Sequence, residues 1–365
     1  MKLKGLEAEL AYLTDIISTL NINQTEETTS VSVEIVAELA QGFEGCEIQA
    51  KMLIKAAKFS GADAAKLQMV FADELATPDY EYYRLFLSLE LKDAVWLEIV
   101  KYAEDLGIKI YFDIFGYRSL KLAEKIGASA VKLHGTDISN EALLKRVAKS
   151  KLSKILLGAG GAYLSEIEKA ISILKHKEVV VLLGFQGYPT AIEANQVGRV
   201  SLLSKSLNTW GMNVKLGFAD HTDPVGPISS AVSAMALGAG ASVIEKHLTL
   251  GKNMQLEDFE SALNPDEFLV FSRTIRACAD AYGAWCSSDD FGMSKAEIDY
   301  RLQVRRHVIA GKNLEAGTVI SPEDVTLKRS SSKNAIHDLS LVYQKRVLKD
   351  VSNNAPLSPS DIIEN

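Results

Sequence analysis

Eight short apolar runs separated by helical patterns constrain the fold of this chain more than any other feature. Alternation of apolar strands with amphipathic helices is typical of parallel βα units. Eight units predict a closed (β/α)8 TIM barrel of the α/β class, with a doubly wound open sheet as the alternative. The runs are Val33–Leu39, Ala64–Met69, Ile108–Phe112, Ala130–Leu133, Lys154–Leu157, Val179–Leu183, Val214–Phe218 and Val243–His247, and helical periodicity is clearest at Gln49–Ser60, Leu91–Leu106, Leu120–Ile126 and Pro265–Tyr282.

The length of the chain predicts more than one domain. Its 365 residues exceed the roughly 250 residues of a typical barrel. We expect an N-terminal extension over residues 1–30, with an amphipathic helix near Leu6–Leu20, and a barrel over residues 31–285. A polar linker over 286–303 would then lead to a compact, mostly β module over 304–365.

The charge pattern argues against several classes of partner. The net charge is −7, and acidic and basic residues are interleaved without a basic block. Nucleic acid and anionic membranes are therefore excluded as expected partners. The first thirty residues mix acids with apolar positions and predict neither a signal peptide nor a membrane span. Three cysteines without metal-ligand spacing favour a reducing compartment, so we expect a cytoplasmic protein.

Two histidines lie at the ends of the last two predicted strands. His221 follows the seventh run, and His247 ends the eighth. Because the carboxyl ends of barrel strands meet at one mouth, these imidazoles could share one divalent metal ion. A purely structural role is the alternative for each. Asp220 could orient His221 as a hydrogen-bond partner.

Two lysines interrupt apolar strands. Lys66 and Lys132 lie in the second and fourth runs, where a charge is costly unless it is paired or faces a polar cavity. Together they could bind a phosphate or carboxylate, or they could form internal salt bridges that close the barrel. Glu38 ends the first strand and could be a general base, a sugar-hydroxyl acceptor or a partner of Lys66; Asp113 is similarly placed on the third.

A glycine-rich stretch follows the fifth strand. The sequence Leu157-Gly158-Ala159-Gly160-Gly161-Ala162 lacks the spacing of a dinucleotide fingerprint. It could be a phosphate-contacting loop, since free amides suit oxyanions, or a plain tight turn.

In order and spacing, these features resemble the sialic acid (N-acetylneuraminate) synthase family. The resemblance spans about residues 31–365, and residues 305–329 are similar to that family's antifreeze-like (SAF) domain. The stretches that carry it in the barrel are Val36–Leu39, Gly61–Gln68, Ala219–Thr222, Ile244–Thr249 and Asn264–Glu267.

The resemblance implies an enzyme that condenses phosphoenolpyruvate with an N-acyl amino sugar, such as N-acetylmannosamine, to give a nonulosonic acid and phosphate. It implies that His221 and His247 hold a divalent ion, Mn²⁺ before Mg²⁺ or Co²⁺, which polarises the sugar aldehyde, with Glu38 as the third catalytic residue. Lys66 and Lys132 would bind phosphoenolpyruvate. The remaining substrate-binding residues would be Gln68, Gln186, Tyr188, Asp258 and, across a domain-swapped homodimer, Arg329.

The chain departs from this family at the phosphate site. Gly135, Gly158 and Ala219 stand where the family places serines, Gln186 replaces an asparagine, and Asp113 replaces a small hydroxyl residue. Each lost hydrogen bond would cost about 1 kcal/mol of anion affinity unless backbone amides compensate. Two other functions therefore stay open: a non-catalytic sugar-binding paralogue, and a pyruvate-class aldolase or lyase that forms a Schiff base on Lys66 or Lys132.

Overall fold

A computed structural model describes residues 32–224, 228–283 and 292–363. The helix predicted near Leu6–Leu20 lies outside these residues. The chain divides into two compact units between residues 284 and 285.

The first unit is a closed barrel of eight parallel strands in sequential order, which confirms the predicted fold. Each strand pairs with its neighbours in the chain, and the first pairs with the last, with Glu38 opposite His247. The bounds fall within about two residues of the apolar runs because hydrophobic patterning sets the buried length. The strands are β1 (Glu34–Ala40), β2 (Ala64–Gln68), β3 (Lys109–Ile114), β4 (Ala130–Leu133), β5 (Lys154–Gly158), β6 (Glu178–Leu183), β7 (Lys215–Asp220) and β8 (Val243–His247).

The helices of this unit cover the outside of the barrel. The last of them begins with Pro265 in its first turn, and Glu267 accepts a hydrogen bond from the backbone of Asn264, the N-cap residue. This capping box explains why the sequence marked its start so well. The helices are α1 (Glu47–Phe59), α2 (Ala72–Leu75), α3 (Tyr83–Leu89), α4 (Asp93–Asp105), α5 (Tyr117–Ile126), α6 (Glu141–Lys149), α7 (Leu164–Leu174), α8 (Gly198–Trp210), α9 (Ile228–Gly238) and α10 (Pro265–Tyr282).

The barrel interior is filled in layers. An apolar cluster of buried strand side chains fills the middle of the barrel, and it consists of Val36, Ala64, Tyr111, Ala130, Leu156, Val180, Leu182 and Val243. Because side chains alternate along a strand, the residue two positions further on points into the barrel nearer the carboxyl ends. On five strands that residue is charged: Glu38, Lys66, Asp113, Lys132 and Glu245.

The amino-end floor of the barrel carries a separate polar group. Lys154 at the start of β5 donates to Glu34 of β1 and to the Tyr111 hydroxyl, which lies 3.1 Å from its Nζ. Tyr111 also donates to Glu34. This floor cluster of Glu34, Tyr111 and Lys154 joins strands on opposite sides of the barrel.

The second unit is small and mostly β, as predicted. Helix α11 (Lys295–Val304) precedes an antiparallel pair formed by β9 (Arg306–Ala310) and β10 (Val325–Arg329), and a second pair is formed by β11 (Arg346–Val347) and β12 (Ile362–Ile363). Its apolar core includes Val308, Leu314, Ile320 and Val342. Arg329 ends β10 with an exposed side chain. Among the described residues of the chain, no helix is long and apolar enough to cross a membrane.

Candidate active site at the barrel mouth

Five buried charged side chains form a connected cluster at the carboxyl end of the barrel. Lys66 Nζ donates to Glu38 and, over 2.7 Å, to Asp113, and it lies 3.6 Å from a Glu245 oxygen. Lys132 Nζ lies 2.6 Å from Glu245 and about 4 Å from Glu38 and Asp113. None of the five is more than 4% exposed. We call this set the mouth cluster.

The carboxyl groups of the mouth cluster are forced into different protonation states. Burial raises the pKa of Glu38 to about 7, against the pull of Lys66. Burial also disfavours the charged form of Glu245, but Lys132 and Lys66 outweigh it and lower that pKa to about 2. Although burial opposes the charge on Lys66, Asp113, Glu245 and Glu38 raise its pKa well above the usual value. Both lysines therefore lie beside carboxylates in a buried site of low dielectric constant.

Two neutral histidines lie beside the mouth cluster. The ring centroids of His221 and His247 are 5.2 Å apart, and the Tyr188 ring packs edge-on against both. Burial lowers the pKa of His221 to about 4, and it lowers that of His247 well below the usual range. His247 Nδ1 lies 3.7 Å from a carboxylate oxygen of Asp258.

The donor chemistry of this pair fits a divalent transition metal. Neutral imidazoles on neighbouring strands are suitable ligands, and the buried Nδ1 of His221 has no hydrogen-bond partner within the described part of the chain. A buried nitrogen of this kind calls for a partner that the protein does not supply. Within the same residues, no group of three or more His, Cys, Asp or Glu side chains is arranged around one ion. The chain would thus supply two ligands and leave further positions for solvent or substrate.

A cavity of about 900 Å³ opens above the mouth cluster. Four of the residues predicted to bind substrate line it, namely Gln68, Gln186, Tyr188 and Asp258. Gln68 accepts a hydrogen bond from Gln41, and Gln186 lies 2.8 Å from the His134 ring. Burial raises the pKa of Asp258 to about 7. The volume is that of a site for a small organic ligand.

Glycines close one side of the mouth with backbone rather than side chains. A Cβ added at Gly158 would lie 2.8 Å from the Gly135 nitrogen, and one at Gly135 would lie 3.0 Å from the Gly160 carbonyl oxygen. One at Gly184 would collide with the Ala219 carbonyl. The ends of β5 and β7 and the loops after β4, β5 and β6 therefore pack against each other too closely for side chains at these glycines. His134, Thr136 and Gln186 line the cavity on this side.

The structure brings together the predicted site residues of the barrel and leaves one elsewhere. Glu38, Lys66, Lys132, His221 and His247 meet at the mouth, whereas Arg329 lies in the second unit. The suggested link from Asp220 to His221 is wrong. The Asp220 carboxylate instead accepts from Ser233, Lys246 and the backbone of Thr222.

Sequence reasoning missed two residues of the site. Glu245 bonds Lys132 directly, and His134 contacts Gln186 in the cavity wall. The signal for Glu245 was the strand period, since it lies two residues before His247 and so on the same face. His134 likewise lies two residues from Lys132 and so on the same face, one residue beyond the end of β4. The period identifies the face but not which partners meet across the barrel.

The fold and the site define a (β/α)8-barrel protein with a charged, metal-suited mouth and a small second β unit. A family model described as the NeuB family matches residues 53–287, and one described as the SAF domain matches residues 305–363. The chain belongs to the NeuB family. This confirms the resemblance to sialic acid synthases.

Relatives match nearly the whole chain. An uncharacterized protein of Methanocaldococcus jannaschii is 30% identical over 319 residues, which cover 87% of this chain and 90% of the relative. The N,N'-diacetyllegionaminic acid synthase of Legionella pneumophila is 27% identical over 350 residues, which cover 90% and 94%. A crystal structure of a putative spore coat polysaccharide biosynthesis protein E from Chromobacterium violaceum superimposes with a TM-score of 0.75 at 20% identity, covering 91% of this chain and all of that one. The last match shows a shared fold alone.

Proposed function

We propose that this protein condenses phosphoenolpyruvate with an N-acyl amino sugar to form a nonulosonic acid and inorganic phosphate. The observation that carries the proposal is the mouth itself: two buried lysines and two neutral histidines lie at the carboxyl end of the barrel, beneath a cavity whose lining includes Gln68 and Tyr188. Membership of the NeuB family supports the same reaction class. A relative named as a diacetyllegionaminic acid synthase supports a nine-carbon sugar acid as the product.

In this proposal the mouth cluster binds and orients phosphoenolpyruvate. Lys66 and Lys132 would hold its anionic groups as point charges, while Glu38 and Glu245 fix the two ammonium groups in place. Glu38, with a pKa of about 7, is suited to exchange a proton with the reacting sugar oxygen or with water near neutral pH. Positioning and electrostatics supply most of the rate acceleration.

His221 and His247 would hold the divalent ion, with Mn²⁺ as the first choice and Mg²⁺ or Co²⁺ as the others. When bound, such an ion polarises the carbonyl of the open-chain sugar. Tyr188 packs against both rings and restricts their orientation. Asp258 and Gln68, which line the cavity wall, would accept hydrogen bonds from the sugar hydroxyls and donate hydrogen bonds to them. The proposal includes a homodimer in which Arg329 serves the sugar's N-acyl group.

A second candidate function is a sugar-binding protein without turnover. It is favoured by the way Lys66 and Lys132 are already paired with carboxylates and by the glycine side of the mouth, which offers no hydroxyl groups at Gly135 and Gly158. The pyruvate aldolase is disfavoured. A Schiff-base lysine must lose its proton, whereas the carboxylates around Lys66 raise its pKa.

Phosphate release tests the proposal. The protein is incubated with phosphoenolpyruvate, Mn²⁺ and a panel of N-acyl hexosamines, and inorganic phosphate is measured against omission of each substrate. We expect release only when both substrates are present, and loss of release in His221→Ala and His247→Ala. Binding of a sugar without phosphate release from any member of the panel would establish the second candidate instead.

A further inference from the structure

The mouth cluster holds more carboxylates than lysines. Two ammonium groups, those of Lys66 and Lys132, are shared among Glu38, Asp113 and Glu245. Even when Glu38 is protonated, the remaining two carboxylates balance the two lysines. An anion that enters this mouth therefore meets no net positive charge, although it meets two ammonium groups.

Asp113 is the member of the cluster that neutralises Lys66 from the β3 side. Its Oδ1 lies 2.7 Å from Lys66 Nζ and its Oδ2 lies 4.0 Å from Lys132 Nζ, and its side chain is 1% exposed. Like Glu38 and Glu245, it lies near both ammonium groups, where a ligand carboxylate or phosphate would also have to approach. Burial makes this competition strong, because charges interact more strongly in a low-dielectric site than in water.

The remaining sides of the mouth offer an anion few alternatives. On the side of β4 to β7, the glycine loops pack backbone against backbone, and the cavity there is lined by His134, Thr136 and Gln186. Burial lowers the pKa of His134, so this ring is a neutral neighbour. The residues that line the cavity include no lysine or arginine, and four of them are acidic: Asp73, Glu74, Glu257 and Asp258. The lysine pair is then what attracts an anion to this mouth, and Asp113 is one of the carboxylates that limit the attraction.

We propose that Asp113 is a specificity-determining residue that sets how much negative charge a ligand of the lysine pair can carry. This inference rests on the proposed function, because phosphoenolpyruvate is taken as the natural ligand. Phosphoenolpyruvate carries about three negative charges near neutral pH, and pyruvate carries one. Repulsion from Asp113 grows with ligand charge, so the residue weakens binding of the more highly charged ligand more.

The test compares anion binding by the full-length chain and by Asp113→Asn, which keeps the size of the side chain and removes its charge. Dissociation constants for phosphoenolpyruvate, inorganic phosphate and pyruvate are measured by titration calorimetry at one pH, in one Mn²⁺-containing buffer, without sugar. Asp113→Ala is a second variant, in case the amide disturbs the hydrogen bond to Lys66. Thermal melting of each variant verifies folding.

Glu34→Gln is the matched control. Glu34 is also a carboxylate bonded to a lysine inside the barrel, but it lies in the floor cluster and bonds Lys154. Neutralising it changes the net charge of the protein by the same amount. Its removal should leave the affinity for all three anions within about twofold, because Glu34 lies four residues before Glu38 on β1, roughly 13 Å away at about 3.3 Å per residue, and Coulomb interactions weaken with distance.

We expect Asp113→Asn to tighten phosphoenolpyruvate binding by at least about tenfold and pyruvate binding by about threefold or less, since close like charges cost substantial affinity. Equal tightening for both ligands, no change, or weaker binding would overturn the inference, and so would the absence of anion binding to every variant. A purely structural role for Asp113 would produce no gain graded by charge. If the graded gain appears but no protein releases phosphate with any sugar, the proposed function fails while the role of Asp113 stands.

Discussion

The two ends of this barrel use the same chemistry for different purposes. At the floor, Lys154, Glu34 and Tyr111 satisfy one another, with one lysine for one carboxylate and a hydroxyl between them. At the mouth, Lys66 and Lys132 share three carboxylates, and two neutral histidines and a cavity of about 900 Å³ lie alongside. Buried ion pairs alone therefore do not indicate a site. An excess of carboxylates over lysines next to a cavity does indicate one.

The difference has a physical origin in what each cluster must do. A paired charge that only closes the barrel is best left complete, because breaking it leaves an uncompensated buried charge. A binding site needs groups whose partners can be exchanged for a ligand. The mouth cluster has such a group in Glu38. Its pKa is about 7, so it can take up or release a proton near neutral pH, while Glu245, with a pKa of about 2, stays charged.

The largest expected difference between the two ends is in activity. Lys132→Met should lower kcat/KM for phosphoenolpyruvate by about 100- to 1000-fold, the loss typical of removing one electrostatic contact to a reacting anion. Lys154→Met should leave kcat/KM within about twofold once the protein is folded. Phosphate release measured on both variants makes the comparison. Equal losses would show that the mouth lysine acts through stability alone.

The two ends should also differ in how stability depends on pH. Glu38 has a folded pKa of about 7 against an ordinary value of 4.5, so the folded state holds the extra proton between these values. The contribution of Glu38 to stability should therefore fall as pH rises from 4.5 to 7, by up to about 3 kcal/mol, whereas the two buried histidines, whose pKa values are lowered, contribute in the opposite direction over an overlapping range. The folded pKa of Glu245 is about 2, so its contribution is present above 4.5 and is lost as pH falls toward 2.

Urea unfolding at pH 5, 6 and 7.5 measures this effect. The free energy of unfolding of Glu38→Gln, taken relative to the wild type, should increase between pH 5 and 7.5, because glutamine does not titrate and the contributions of the histidines cancel in this difference. A slope unchanged by Glu38→Gln would mean that the Glu38 proton does not distinguish the folded chain from the unfolded one.

The floor cluster should matter for stability and show coupling between its members. Lys154→Met leaves Glu34 without its cation and should cost about 2 kcal/mol, less than a fully buried pair because both side chains are partly exposed. Adding Glu34→Gln should restore part of that loss, since no uncompensated charge then remains. A double-mutant cycle by urea unfolding measures the coupling. Simple additivity would contradict a direct pair.

An exposed ion pair between neighbouring strands should matter least. Lys215 on β7 lies 2.7 Å from Glu178 on β6, and the two side chains are 57% and 44% exposed. Lys215→Ala should change the free energy of unfolding by less than about 0.5 kcal/mol, because solvent screens such pairs. Set beside Lys154→Met, this variant tests whether burial is what gives the floor cluster its weight. A loss as large as that of Lys154→Met would refute the distinction.

Much of the barrel could be read from the sequence, and part of the mouth. The apolar runs placed all eight strands, and the Pro265–Tyr282 helix was predicted to the residue because its capping signals are local. Lys66 and Lys132 stood out because charge is rare in buried strands. The sequence left their role open between an anion site and internal salt bridges, and the structure shows those salt bridges in place within a site-like mouth.

Other features of the mouth could not be predicted, because they depend on residues far apart in the chain. Lys132 and Glu245 are 113 positions apart, and their contact follows only from closure of the barrel. The sequence left the glycine-rich stretch after the fifth strand open between a phosphate-contacting loop and a plain tight turn. Close backbone packing between the loop after β4, the end of β5 and the loop that follows it explains why Gly135 and Gly158 lack side chains.

The sequence by itself determined the βα alternation, the second β unit and the set of chemical groups at the strand ends, because hydrophobic period and residue type are local properties. Only the tertiary structure decided which charges meet, which of them are in excess and where the open space lies. Those outcomes depend on strand register and on burial. Register aligns Asp113 with Lys132 and Glu38 with Lys66. Burial then strengthens the interactions between these charges and shifts the pKa values on which the site depends.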